Sequence, residues 1–390
     1  MYMGADDFCI NCKRQGRVFC PHINSLYIKT ALEANLKEDV SGPSPPNVFI
    51  GHFGYPNLNY GPMIAVGDTV DNPSKLYGLG FEDIVKKMSS LVRGQSKANA
   101  KMPTRIHEGL KETVMSVKSV DMEAKFSHKP LMRSSLDSVL QPMGPVAPLK
   151  ELRITGNAAI PRIVDNLVDD KIGAADASIE LFGRGFDSHY LTKLLSAGVL
   201  GKKNNQRLVP TRWAITATDD MLSKAVIEKV KELPSVEEFL VFTNEYLFNH
   251  FEVLVMPGNF EYEQFEAAVS EKAEESHVSE DWEGFDGRTK YSEAQGGGYY
   301  AARFGITEGL LKKVKKQGRV VLFREILPDY NLPVGVWEVR ENARHAMQNI
   351  PRRFENLQQA LGDIFTRLRV SRRIYLSKSR VLRQRRLTEF

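Results

Sequence analysis

All three cysteines of this 390-residue chain, Cys9, Cys12 and Cys20, fall within its first twenty residues. An odd number of thiols crowded at one end cannot staple a fold of this size, so everything after them must be held by an apolar core. The supply is adequate: 42% of residues are hydrophobic and 26% charged, the balance of a folded chain rather than a disordered one. A length of 390 exceeds one ordinary core and predicts two or three structural units.

The cysteines then need another role. With His22 they read C-x2-C-x7-C-x-H. Two thiolates on a knuckle turn plus a second Cys/His pair close a tetrahedron around Zn²⁺, with Zn–S near 2.3 Å. A segment with so little apolar periodicity gains its folding energy from such a metal. The expectation is a zinc-binding module over 1–45, with Cys9, Cys12, Cys20 and His22 as ligands and His52 as an alternative to His22. The run Ser41-Gly-Pro-Ser-Pro-Pro46 ends it as an extended linker or edge.

Apolar residues at helical spacing predict helices over 81–92, 188–199, 220–233 and 300–316, and a last one carrying Leu357, Leu361, Ile364, Phe365 and Leu368. A short strand running into a loop is expected over 47–62, further strands at 239–242, 251–256, 319–326 and 334–339, and a polar surface insertion over 270–298. The fold class is α/β or α+β, a mixed sheet with packed helices over 46–350, followed by a basic helical segment over 351–383 and a terminal peptide over 384–390. No apolar run approaches the roughly 18 to 20 residues that cross a bilayer, and the start lacks a signal-peptide pattern, so a cytoplasmic protein with no membrane partner is expected.

Charge is unevenly spread. From Pro351 onward eleven Lys or Arg face three acids, a local +8 in a chain whose total is +5. A polyanion such as DNA is drawn to that end, with Arg369, Arg372 and Arg373 its candidate phosphate contacts. The chain then stops at Gln384-Arg-Arg-Leu387-Thr-Glu-Phe390. One helical turn brings Leu387 and Phe390 together as an apolar plug while the Gln384 amide hydrogen-bonds beside it, the spacing of a PCNA-interacting peptide. Such a peptide ordinarily has two adjacent aromatics; here the chain has one.

Three internal segments offer binding chemistry. Gly296-Gly-Gly298 before a helix, with Gly297 central and Arg303 a turn inside, has the make-up of a phosphate cradle, or of a flexible loop end. Arg207, Arg212 and Trp213 combine guanidinium groups with a stacking surface; a structural arginine beside a core tryptophan is the competing reading. Tyr55, Asn57, Asn59 and Tyr60 sit on a Gly/Pro-rich loop suited to a base or nucleotide, or to an ordered turn. Asp219 and Asp220 stand where caps of the expected 220–233 helix belong, which outweighs a Mg²⁺ role.

Taken together, the cysteine-rich start, Ser44-Pro-Pro-Asn-Val-Phe-Ile-Gly51 leading into Gly54-Tyr-Pro56, Arg207-Leu-Val-Pro-Thr-Arg-Trp-Ala-Ile-Thr216, Gly297-Gly-Tyr-Tyr-Ala-Ala-Arg303 and the terminal peptide resemble the archaeal Nre family along nearly the whole chain. The resemblance implies repair of DNA damage in concert with the sliding clamp PCNA and other repair enzymes; it implies no catalytic mechanism. Two functions follow as expectations. One is a DNA repair accessory factor that binds DNA and docks on PCNA. The other is an enzyme acting on DNA or a nucleotide in a pocket built from the Gly54–Tyr60 loop, Arg212 and Gly296–Arg303, although no P-loop, triad or metalloprotease spacing supports it.

Overall fold

The structure, a computed structural model, describes residues 36–45, 47–101, 105–132, 143–169, 172–270, 276–330 and 332–383. The expected zinc ligands Cys9, Cys12, Cys20 and His22, and the clamp-peptide residues Gln384, Leu387 and Phe390, lie outside the described residues. The chain is α+β, with two mixed sheets in two compact units, 36–218 with 332–335, and 219–330 with 336–383.

The first unit carries β1 (Asp39–Ser44), β2 (Val48–Ile50), β3 (Asn57–Ala65), β4 (Leu91–Asn99), β5 (Val120–Phe126) and β6 (Val146–Ile154), ordered β1-β5-β6-β4-β3-β2. Its pairs are antiparallel except β4 with β6. The proline-bearing β1 is an edge strand, where a residue without an N–H is tolerated, and it joins this sheet ahead of the boundary expected at 45. β5 alternates strictly between buried and exposed residues, so one face of the sheet is covered and the other wet. Helices α1 (Phe81–Ser89), α2 (Arg105–Met115), α3 (Arg162–Asp169), α4 (Ala174–Gly183) and α5 (Ser188–Ser196) accompany the sheet, and α6 (Thr211–Lys231) begins here.

One expectation in this unit shifts for a visible reason. The helix expected to run to Val92 stops at Ser89, because Leu91 and Val92 are buried strand residues of β4. Gly94, two residues on, lies inside β4, and Gly61 of β3 lets the strands pass this close: a Cβ on Gly61 would overlap the Gly94 carbonyl. α5 starts as expected, its N-cap Asp187 accepting the Tyr190 N–H at 2.8 Å.

The second unit holds β7 (Phe239–Tyr246), β8 (Asn249–Met256), β9 (Glu261–Ala268), β10 (His277–Glu283), β11 (Arg319–Ile326) and β12 (Arg352–Phe354), ordered β10-β9-β11-β8-β7-β12, with β9 and β11 parallel. Helices α7 (Gly297–Gly309) and α8 (Val336–Gln348) pack on each other through Gly305: a Cβ there would sit 2.7 Å from Arg340 O and 2.9 Å from Ala343 Cβ. On the face carrying Leu254, Phe265 and Phe323, α9 (Leu357–Ile364) and α10 (Arg372–Lys378) complete a core with Leu361, Ile364 and Tyr375.

The C-terminal segment is tied to this sheet by a row of carboxylates. Glu325 accepts the N–H groups of Arg369 and Val370 at 2.8 Å and the Tyr375 hydroxyl at 3.0 Å. Glu263 accepts the Ser379 hydroxyl at 2.5 Å and the Arg380 N–H at 2.6 Å, and Glu252 takes Arg367 at 2.6 Å. Part of the local positive charge is therefore spent on internal ion pairs, while Arg369 and Arg373 stay exposed and Arg372 lies over the Phe365 ring. The surface insertion expected over 270–298 contains β10, and the strand expected at 334–339 is instead the start of α8.

Candidate nucleic-acid interface

β2 and β3 form an antiparallel pair whose connection, 51–56, is short and rigid. Gly51 N–H donates to Asn59 O and Asn57 N–H to Gly54 O, both at 2.8 Å, and Gly54 sits at φ +81°, a conformation that favours glycine. Backbone bonds this close hold the tip in place and push its side chains outward. Phe53 is 81% exposed and Tyr55 41%.

Trp213 reaches the same surface from another part of the chain. Leu208 N–H donates to Ala100 O and Val209 N–H to Ser196 O, each at 2.9 Å, which carries the segment to Pro210, where the α6 turns begin. Proline suits that position because its fixed φ is already helical and its missing N–H would find no partner there. The Thr211 hydroxyl accepts the Ile50 N–H at 3.0 Å, pinning the helix start to the strand that leads into the loop. Trp213, 46% exposed, then stands with its ring 5.2 Å from that of Tyr55. The faces these two rings leave in water can each take a stacked base, worth roughly 1–3 kcal/mol.

Polar and basic groups border this pair. Asn99 Nδ2 donates to Asn57 Oδ1 at 3.1 Å, Ala100 N–H to Pro56 O at 2.7 Å, and Lys101 N–H to Asn99 Oδ1 at 3.1 Å, so Lys101 emerges beside the loop. Arg207 is exposed directly before Leu208, and Arg212 is half-buried beside Trp213. Five residues singled out from the sequence, Tyr55, Asn57, Arg207, Arg212 and Trp213, thus gather in the first unit. Tyr60 does not join them: it is buried, edge-on to His107 at 6.1 Å. Phe53 and Lys101 were missed, since a lone phenylalanine or lysine on a polar loop carries no pattern.

The other expected phosphate site is built inward. Gly296 (φ +54°) caps α7, but Gly297 and Gly298 are buried, and a Cβ on Gly298 would sit 3.4 Å from both Arg324 Nη1 and Glu266 Oε2. Gly298 thus lies in contact with the Arg324–Glu266 ion pair. Arg303, 1% exposed, donates to Glu283 at 2.6 Å, to Asp220 at 2.5 Å and to the Ser223 hydroxyl at 2.8 Å. A guanidinium matched by two carboxylates has little charge left for a phosphate. Asp219, buried against Arg340, and Asp220 lie within α6 rather than capping a helix, because that helix starts at Thr211. Among the described residues no group of three or more His, Cys, Asp or Glu is placed to hold a metal ion.

Family models account for most of the chain. The one described as Archaeal Nre, N-terminal, matches residues 15–273, and Archaeal Nre, C-terminal, matches 283–390. The chain belongs to the archaeal Nre family. Among Nre relatives, the DNA repair protein NreB of Archaeoglobus fulgidus is 35% identical over 98% of this chain and 99% of its own length. The DNA repair protein NreA of the same organism is 32% identical, covering 90% of this chain and 92% of that protein, and NreA of Haloferax volcanii is 32% identical, covering 86% and 84%. No solved structure matches the chain. The N-terminal model runs to residue 273 and so takes in β7, β8 and β9, which share one sheet with β11 of the C-terminal match; the family's halves are therefore not the structural units. No helix among the described residues is long and apolar enough to cross a membrane.

Proposed function

We propose that this Nre chain is a DNA repair accessory factor that holds DNA on the first unit and docks on PCNA through Gln384, Leu387 and Phe390. The observation that carries the DNA half is the exposed Tyr55–Trp213 pair, rigidly mounted and bordered by Lys101, Arg207 and Arg212. Rings for stacking next to cations for phosphate are what a single-stranded nucleic acid needs, and such binding tolerates any sequence because every base has a π-face. The names of the relatives agree with a role in DNA repair. Support for the clamp half is the Q-x-x-L-x-x-F spacing of Gln384, Leu387 and Phe390, within the C-terminal family match that extends to residue 390.

In the same reading Cys9, Cys12, Cys20 and His22 hold a structural zinc, and exposed Arg369 and Arg373 are candidate phosphate contacts on the second unit. The enzyme alternative is weaker, because Arg303, which it needs at a phosphate, is consumed by Glu283 and Asp220. Anisotropy of a labelled single-stranded oligonucleotide titrated with the full chain tests the proposal. Tyr55→Ala with Trp213→Ala weakens binding by about ten-fold or more if two bases stack there; wild-type affinity in that variant removes the aromatic surface from the DNA site.

A further inference from the structure

A cavity of about 460 Å³ opens in the first unit, lined by Lys101, Lys111, Lys203, Arg207, His107 and one carboxylate, Glu108, among others. Its cations come from three stretches far apart in sequence: the end of β4, the α2 helix and the polar turn 203–207. Lys111 pairs with Glu108 at 3.3 Å, while Lys101, Lys203 and Arg207 are exposed and have no ion-pair partner among the described residues. Burial holds the pKa of His107 below the usual value, against the opposing pull of the Ala197 carbonyl 2.9 Å from its Nε2. The walls are fixed. Gln206 Nε2 donates to Val199 O at 3.1 Å and Gly201 O at 3.2 Å, and Gly198, at φ +67°, lies so close to Arg207 that a Cβ would overlap its carbonyl.

Three unpaired cations converging on one concavity repel each other, so the arrangement is relieved when an anion of high charge enters. The volume falls in the range of about 300–1,000 Å³ that suits a nucleotide-sized ligand. The cavity also adjoins the aromatic pair: Lys101 follows Ala100, whose N–H is bonded to Pro56 O and whose carbonyl accepts from Leu208, the neighbour of Arg207. We infer that this cavity takes the phosphate groups of a nucleotide, in a strand or free, through Lys101, Lys203 and Arg207, while the base stacks at Tyr55 and Trp213. The inference rests on the nucleic-acid reading of that surface and adds the phosphate pocket to it.

The test uses the full chain, a labelled single-stranded oligothymidine, and unlabelled tripolyphosphate and thymidine triphosphate as competitors. Replacing Lys101, Lys203 and Arg207 together by Ala lowers affinity by about ten-fold or more and flattens the slope of log affinity against log salt by about 2, at roughly 0.7 per lost phosphate contact on a single strand. An unchanged melting temperature confirms that these surface changes leave the fold intact. Displacement of the strand by either competitor, absent in the triple variant, assigns the pocket to free nucleotides as well; a weakened triple variant without displacement assigns it to the strand alone. Wild-type affinity and salt slope in the triple variant, together with a defect in Trp213→Ala, overturns the pocket and leaves the stacking surface standing. Wild-type behaviour in both variants overturns both.

Discussion

The side chains of Arg303 and Glu283 meet at 2.6 Å in the interior of the second unit, both 1% exposed, with Asp220 on the other arm of the guanidinium. A buried pair of this kind is costly to break, because removing one partner strands the other charge in a medium of low polarity. Arg303→Met should therefore lower the unfolding free energy by about 3–5 kcal/mol in urea denaturation, leaving Glu283 and Asp220 uncompensated. A loss below about 1 kcal/mol would show that the network contributes little.

This pair also explains why the glycine-rich segment misleads when read alone. Gly296-Gly-Gly298 followed by an arginine one turn on has the composition of a phosphate loop, and only the position of Glu283 on β10 reveals the arginine's partner. β10 was itself hidden, since a half-polar edge strand such as His277–Glu283 lacks clean apolar alternation. By contrast β11 is legible to the residue, because the apolar stretch Val320–Phe323 is rich in β-branched and aromatic residues and lies between Gly318 and Pro328. The start of α8 reads as a strand through Val334, Val336 and Val339; the helical stripe that overrides them, Val339, Ala343, Ala346 and Met347, continues past the window. At the candidate interface, the sequence shows the aromatic and arginine segments but not that Pro210 and Thr211 bring them together.

Two buried carboxyls give the second unit a pH dependence. Burial pushes both Glu263 and Glu338 up to about 7 from 4.5. Between those values the folded protein keeps protons that the unfolded chain releases, so their contribution to stability is present at low pH and falls as pH rises through this window. Glu338→Gln, which can still accept from Asn342, should flatten the fall in melting temperature between about pH 5 and pH 7.5. Parallel curves for the variant and the wild type would contradict the assignment.

The cysteine-rich start predicts a metal. Protein purified without chelator should contain about one zinc per chain, and Cys9→Ser or Cys12→Ser should lose it. Metal analysis that finds no zinc in the wild type would end that reading.

The exposed tryptophan offers a direct optical signal. Trp213 fluorescence should be quenched on adding a single-stranded oligonucleotide, and Tyr55→Ala should reduce that quenching. Quenching carried in full by a Trp213→Phe variant would place the effect at Trp282 or Trp337 instead.

The proposed docking on the sliding clamp is tested most directly by calorimetry with PCNA. Burying Leu387 and Phe390, at roughly 25 cal/mol per Å² of apolar surface, supplies several kcal/mol before ordering costs, enough for affinity of about micromolar order. The wild-type chain should bind, and both the deletion of 384–390 and the pair Leu387→Ala with Phe390→Ala should abolish binding while folding is retained. Undiminished affinity for PCNA in the shortened chain would contradict the proposal.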